Sequence, residues 1–203
     1  LKLRKKLSQN NRIIYNLPFT SVIDQNYSVF EEVLGEISKD GSILLKHHYL
    51  ARKEYIANEG EVYEYDISKY LIENWDSEII VTTFIQFLNS VITNKNRNLK
   101  KYHNLANSII ILDEVQSIPY KYWKLINKTL KLMTKTLNCY VILVTATMPL
   151  IFSEKDKEII ELATEKEKYF SFFNRIDMDI SMIKEKISID EFNQVIYDDI
   201  SNI

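Results

Sequence analysis

Four short, continuously apolar runs punctuate this chain: Arg12 to Leu17, Glu78 to Val81, Ser108 to Leu112 and Tyr140 to Val144. A strand covered on both faces needs unbroken rather than alternating hydrophobicity, so these runs predict strands of a buried, largely parallel sheet. Ser42 to Lys46 is a weaker fifth candidate. Between the runs, apolar residues recur at three- and four-residue steps. Ile23, Tyr27, Phe30, Leu34 and Ile37 make one stripe, and Phe84, Phe87, Leu88 and Val91 make a second. Tyr122, Ile126, Leu130, Met133 and Leu137 make a third, with Pro119 expected in the first turn of its helix. Strands alternating with amphipathic helices predict the α/β class: a mainly parallel β-sheet flanked by helices that bury their stripes against it.

The last fifty residues follow another pattern. Glu154 to Lys168 alternates charges, as a solvated helix face does. Arg175 to Ile183 alternates apolar and polar, with Ile176, Met178, Ile180 and Met182 on one side, which predicts a half-buried strand. Ser188 has the place of a helix cap ahead of Ile189, Phe192, Ile196 and Ile200. The expected division is therefore a sheet-and-helix domain over 1–170 and a strand and helix over 171–203.

Composition narrows the functions available. With 46% hydrophobic residues in 203 and a net charge of -2, the chain can bury one substantial core and has no polybasic arm. One cysteine, Cys139, leaves no internal disulfide framework and suits a reducing, cytoplasmic setting. No apolar run reaches the roughly 18 residues of a membrane span. Three isolated glycines, Gly35, Gly41 and Gly60, exclude a glycine-rich phosphate loop within these residues. The chain opens on Leu1 rather than Met, as an excised piece of a longer protein would. His47, His48 and His103 lack metal-ligand spacing and are expected to pack or lie at the surface. Lys95, Arg97, Lys100 and Lys101 form a local basic run, read as a solvated loop or a nucleic-acid contact.

In an open parallel sheet, ligands gather beyond the carboxyl ends of the strands, so the residues following each run are the informative ones. They are Pro18-Phe19-Thr20-Ser21 with Gln25, Thr82-Thr83 with Gln86, Asp113-Glu114-Val115-Gln116, and Thr145-Ala146-Thr147. A carboxylate ending a buried strand can hold magnesium on nucleotide phosphates through its water shell, and its neighbour can deprotonate an attacking water. Chance alone supplies about 0.7 Asp-Glu pairs in such a chain. The apolar run before Asp113 and the threonines after the next strand therefore carry the weight. Thr145 and Thr147 suit a relay between nucleotide and nucleic acid. Thr20, Ser21, Thr82, Thr83 and Gln86 suit sequence-independent contact with a phosphate backbone, or simple helix capping.

Taken in order, these four exits resemble those of superfamily 2 helicases of the DEAD/DEAH type. More narrowly they resemble the CRISPR-associated helicase–nucleases of type I systems. Ile14 to Asn26 is similar to that family's motif Ia, Val81 to Leu88 to its motif Ib–Ic region, Ile111 to Pro119 to motif II, and Val144 to Pro149 to motif III. The resemblance implies a RecA-like first motor domain, truncated and lacking motif I. It implies ATP and Mg2+ as cofactors, with Asp113 holding the ion through water and Glu114 as catalytic base. Gln116, Thr145 and Thr147 would couple hydrolysis to movement. Pro18, Phe19, Thr20, Ser21, Gln25, Thr82, Thr83 and Gln86 would contact nucleic acid. It further implies 3′ to 5′ travel on single-stranded DNA, recruitment by an RNA-guided CRISPR surveillance complex, and no membrane partner. The alternatives are another superfamily 2 motor, or an ATP-independent module that binds nucleic acid or a protein.

Overall fold

All five apolar segments form strands. In the computed structural model these are β1 (Ile13–Leu17), β2 (Leu44–His47), β3 (Ile79–Thr83), β4 (Ile109–Asp113) and β5 (Tyr140–Val144). The residues described are 2–7, 11–48, 65–146, 151–152, 159–162, 165, 168 and 186–201. The strands lie in the order β2-β3-β1-β4-β5, every adjacent pair parallel. Ile13 stands opposite Ile79 on one side and Ile109 on the other, and Ile109 opposite Tyr140.

Covering helices sort the strand residues by parity. The helices are α1 (Lys2–Lys6), α2 (Thr20–Leu34), α3 (Tyr65–Asn74), α4 (Phe84–Val91), α5 (Asn96–Leu99), α6 (Trp123–Thr136) and α7 (Ile189–Ser201). On one face Ile14, Ile80, Ile110 and Leu112 pack with Phe84 and Phe87 of α4, Ile126, Leu130 and Met133 of α6, and Trp75 after α3. On the other, Ile13, Leu17, Ile79, Val81 and Ile109 meet Ile23 of α2, flanked by Tyr15, Tyr27, Phe30 and Leu34. Gly35 ends α2 at φ +61°, its N–H bonding Glu31 O, in backbone space that suits glycine.

Three expectations need correction. Ile37 and Tyr122 do not bury with their stripes: each lies in a short 3₁₀ turn outside its helix and is exposed. Pro119 is not in a helical turn: its ψ of 135° is extended, and α6 begins only at Trp123 after a short 3₁₀ turn over Tyr120–Tyr122. Trp123 Nε1 bonding Ile118 O at 2.6 Å holds that entry. β5 is also not covered like the central strands. Among the described residues it is the last strand of the sheet, with Tyr140 and Val144 exposed and Val141 to Leu143 half-buried, whereas all five residues of β3 are buried.

The chain divides into compact units over Leu1–Asp156 and Lys157–Ile203. Within the second, Ser188 caps α7 in a reciprocal box: Glu191 N–H donates to Ser188 Oγ at 3.2 Å, and Ser188 N–H to Glu191 Oε2 at 2.7 Å. Those bonds hold the Glu191 carboxyl below its usual range. The strand expected over 175–183 and most of the charged 154–168 segment lie outside the described residues. Among the described residues no helix is long and apolar enough to cross a membrane.

Candidate functional site

Four of the expected residues, Asp113, Glu114, Gln116 and Thr145, meet where β4 and β5 end. Asp113 closes β4, and Glu114 follows in the left-handed region at φ 57°, ψ 42°. For a residue with a Cβ that conformation costs roughly 1–2 kcal/mol. It turns the chain out of the sheet directly into the 3₁₀ turn Val115–Ser117. Gln116 Nε2 donates to Glu114 Oε2, and Thr145 Oγ1, one residue past β5, donates to Gln116 Oε1 at 2.6 Å. Glu114, Gln116 and Thr145 thus form one hydrogen-bonded chain spanning two strand exits. Thr147 lies outside the described residues.

Asp113 is held from two directions. Glu114 N–H donates to its Oδ1 at 2.9 Å, and the Tyr15 hydroxyl donates to its Oδ2. Burial, then this bond and the charges of Asp113 and Glu114, push the Tyr15 phenol above its ordinary pKa. Two donors leave lone pairs on the carboxylate, so it can still meet a water-clad magnesium ion. Among the described residues no group of three or more His, Cys, Asp or Glu side chains could hold a metal. A single strand-end carboxylate suits magnesium shared with nucleotide phosphates, which needs no all-protein cage.

The other two exits differ in how much side chain they leave accessible. After β1, Phe19 is 62% exposed, Ser21 and Gln25 are exposed on the first turns of α2, and Pro18 and Thr20 are half-buried. After β3 the hydroxyls are already engaged. Thr82, fully buried, donates to His47 O at 2.6 Å, and Thr83 caps α4 by accepting from Gln86 N–H at 3.2 Å. Gln86 Oε1 accepts from Lys101 Nζ at 3.3 Å. Lys101 itself is buried, 5.1 Å above the Trp75 ring, and burial lowers its pKa to about 8. Arg97 and Lys100 of the same basic run pair with Glu73, at 3.0 and 3.7 Å. His47 packs edge-on to Trp75 and accepts from its Nε1 at 2.9 Å, while burial, then Lys101 and Arg97, lower its pKa to about 3.

Sequence reasoning gave Tyr15 no role of its own and read Lys101 only within a basic run, as a solvated loop or a nucleic-acid contact, whereas its side chain is buried. A polar-tipped residue inside a mainly aliphatic strand, beside Asn16, was the available signal for Tyr15. Its meaning depends on β1 lying beside β4 with Tyr15 opposite Ile111, two residues before Asp113.

Residues 1–154 match the family model of the DEAD/DEAH box helicases. Over 164 residues the chain is 31% identical to the CRISPR-associated nuclease/helicase Cas3 of Haloferax volcanii, a match covering 77% of this chain and 18% of that protein. The crystal structure of T. fusca Cas3 with ATP superimposes at a TM-score of 0.51 and 21% identity, over 67% of this chain and 15% of that one. The T. fusca Cas3–AMPPNP structure gives 0.50 and 22%, over 68% and 15%. The sheet and its flanking helices are thus RecA-like, and the chain spans less than a fifth of these relatives.

Proposed function

The chain belongs to the DEAD/DEAH box helicase family and is related to the Cas3 nuclease/helicases, and we propose that it forms most of the first motor domain of an ATP-dependent DNA helicase. The motor moves 3′ to 5′ on single-stranded DNA in type I CRISPR defence, recruited by the RNA-guided surveillance complex. The observation that carries this reading is the hydrogen-bonded chain Glu114–Gln116–Thr145 beside an Asp113 held by two donors. It is the arrangement a site needs if hydrolysis at one strand end is to be felt at the next.

Asp113 would hold magnesium through its water shell, where the ion would offset the negative charge that the displacement spreads over the phosphate oxygens. Glu114 accepts the proton of the water that attacks the terminal phosphoryl group. Gln116 holds the Glu114 carboxylate, so a change in that carboxylate's charge or position reaches Thr145 through two hydrogen bonds. Phe19, Ser21 and Gln25, exposed at the β1 exit with Pro18 and Thr20, hold the DNA backbone. Gln86 does so at the β3 exit, braced by Lys101. These 203 residues contain no Gly-Lys-Ser/Thr phosphate cradle, so the segment alone hydrolyses no ATP.

The test is DNA-stimulated ATP hydrolysis by the full-length protein carrying Glu114→Gln. The variant keeps the shape of the side chain and removes the base. Removing a general base costs about 10²–10⁴-fold, so turnover should fall at least 100-fold with nucleotide still bound. Turnover close to that of the unaltered protein would show that Glu114 is not the general base.

A further inference from the structure

A second donor on the Asp113 carboxylate comes from Tyr15, which lies within the Ile14–Asn26 stretch but has no role of its own in the nucleotide reading. Tyr15 lies in the middle of β1, adjacent to β4, and its hydroxyl donates to Asp113 Oδ2. Its ring is held edge-on to Phe30 of α2 at 5.7 Å between centroids, and its hydroxyl oxygen is also 3.3 Å from Asn26 Oδ1 on that helix. Asn26 Nδ2 donates to Val22 O at 3.0 Å, which orients its carbonyl oxygen. The tyrosine therefore has its ring fixed by packing and its hydroxyl between two acceptors, one at the strand end and one on α2. With Glu114 N–H on Oδ1 at 2.9 Å, both oxygens of Asp113 receive a donor from backbone or a packed side chain.

A carboxylate that meets magnesium only through water has little direct coordination to hold its orientation, so hydrogen bonds from the protein must set it. We infer that Tyr15 is a positioning residue for Asp113: its hydroxyl fixes the carboxylate rotamer that receives hydrated magnesium bound to nucleotide phosphates. This rests on the proposed nucleotide site. It adds that the strand leading to the Pro18–Ser21 exit, where Phe19 and Ser21 are exposed, also sets the geometry of the ion site, so β1 contributes to both. Only Asn16 and Leu17 separate Tyr15 from Pro18, which directly follows the strand.

Tyr15→Phe removes the donor and keeps the ring against Phe30. In the full-length protein with a non-hydrolysable ATP analogue, Mn2+ binding followed by electron paramagnetic resonance should weaken about tenfold, the lower end for losing such a supporting bond. The thermal unfolding midpoint should stay near that of the unaltered protein. In ATP hydrolysis, the Mg2+ concentration for half-maximal rate should rise by the same factor, with kcat at saturating Mg2+ within about twofold. Superimposable Mn2+ titrations would overturn the inference, as would a fall in kcat with no change in metal dependence. Glu114→Gln serves as the separate control. If it abolishes turnover while Tyr15→Phe moves nothing, the nucleotide site stands and the role of Tyr15 falls. If Glu114→Gln leaves turnover intact, the nucleotide reading itself has failed.

Discussion

The β4–β5 exits and the β2–β3 exits use the same kinds of side chain at the same edge of one sheet, to different ends. At β4–β5 the hydroxyl of Thr145 and the amide of Gln116 bond one another and end on an exposed carboxylate, Glu114. At β2–β3 the hydroxyl of Thr82 is spent on the His47 carbonyl, and that of Thr83 on the Gln86 amide. The first arrangement joins side chains whose bonds can be exchanged for bonds to a ligand. The second joins side chains to backbone groups that would otherwise be unsatisfied, which makes it part of the scaffold. A polar residue at a ligand-binding edge is therefore a candidate only after its hydrogen bonds have been traced.

The comparison can be broken by mutation, and the largest effect is expected at its chemical end. Glu114→Gln should lower ATP turnover by the full-length protein at least 100-fold without changing its thermal midpoint by more than a few degrees. A large loss of stability would place Glu114 with the scaffold instead.

Next in size is the acid response of the β2–β3 end. His47 accepts from Trp75 Nε1 only while neutral, and its pKa of about 3 lies below the unfolded value of 6.5. The unfolded chain therefore binds the proton first. Stability from this group is complete above about pH 6.5 and falls as pH drops towards 3, with a slope of up to about 1.4 kcal/mol per pH unit. Urea unfolding at several pH values should show that slope in the unaltered protein, and a shallower one in His47→Gln, which keeps an acceptor and removes the titration. Parallel slopes would contradict it.

Thr82→Val should cost about 1–3 kcal/mol, because it removes the buried donor that the His47 carbonyl accepts, while single-strand affinity stays unchanged. A weakened dissociation constant at unchanged stability would return Thr82 to the DNA-contact set.

At the other end of the pH range is the alkaline response of Lys101. Its pKa of about 8 lies below the unfolded value of 10.5, so the penalty for burying its charge is fully present below about pH 8. Stability should therefore rise between pH 8 and 10.5, and Lys101→Met should lack that rise. Equal curves for the two proteins would show that the amine is not desolvated.

The parts of this molecule legible in its sequence are those set by short-range pattern. Tyr140 to Val144 forms a strand over the whole apolar run, and Asp113 and Thr145 sit at strand ends because the apolar runs stop beside them. The Ser188 cap was readable from one residue ahead of an apolar stripe. Helix α3 was not, because Ile67 and Tyr70 are exposed and blur its periodicity. Pro119 suited a first helical turn equally well, and only the Trp123 indole bond to Ile118 O shows where α6 begins. The site was legible as a set of residues and not as a network. The bond from Tyr15 to Asp113 requires β1 to neighbour β4 in a particular register. That the Thr82 hydroxyl bonds the His47 carbonyl while the Thr145 hydroxyl bonds the Gln116 side chain depends on which group the neighbouring segment brings near. Neither fact is local in sequence.

Wiring of the β4–β5 exits for coupling is tested most directly by Thr145→Val in the full-length protein, measuring base pairs unwound per ATP hydrolysed. The valine keeps the shape and removes the donor to Gln116 Oε1. Coupling through this bond predicts hydrolysis within about threefold of the unaltered protein and a yield of unwinding lower by about tenfold, near the 1.4 kcal/mol upper range of one hydrogen bond. An unchanged ratio of unwinding to hydrolysis would contradict it.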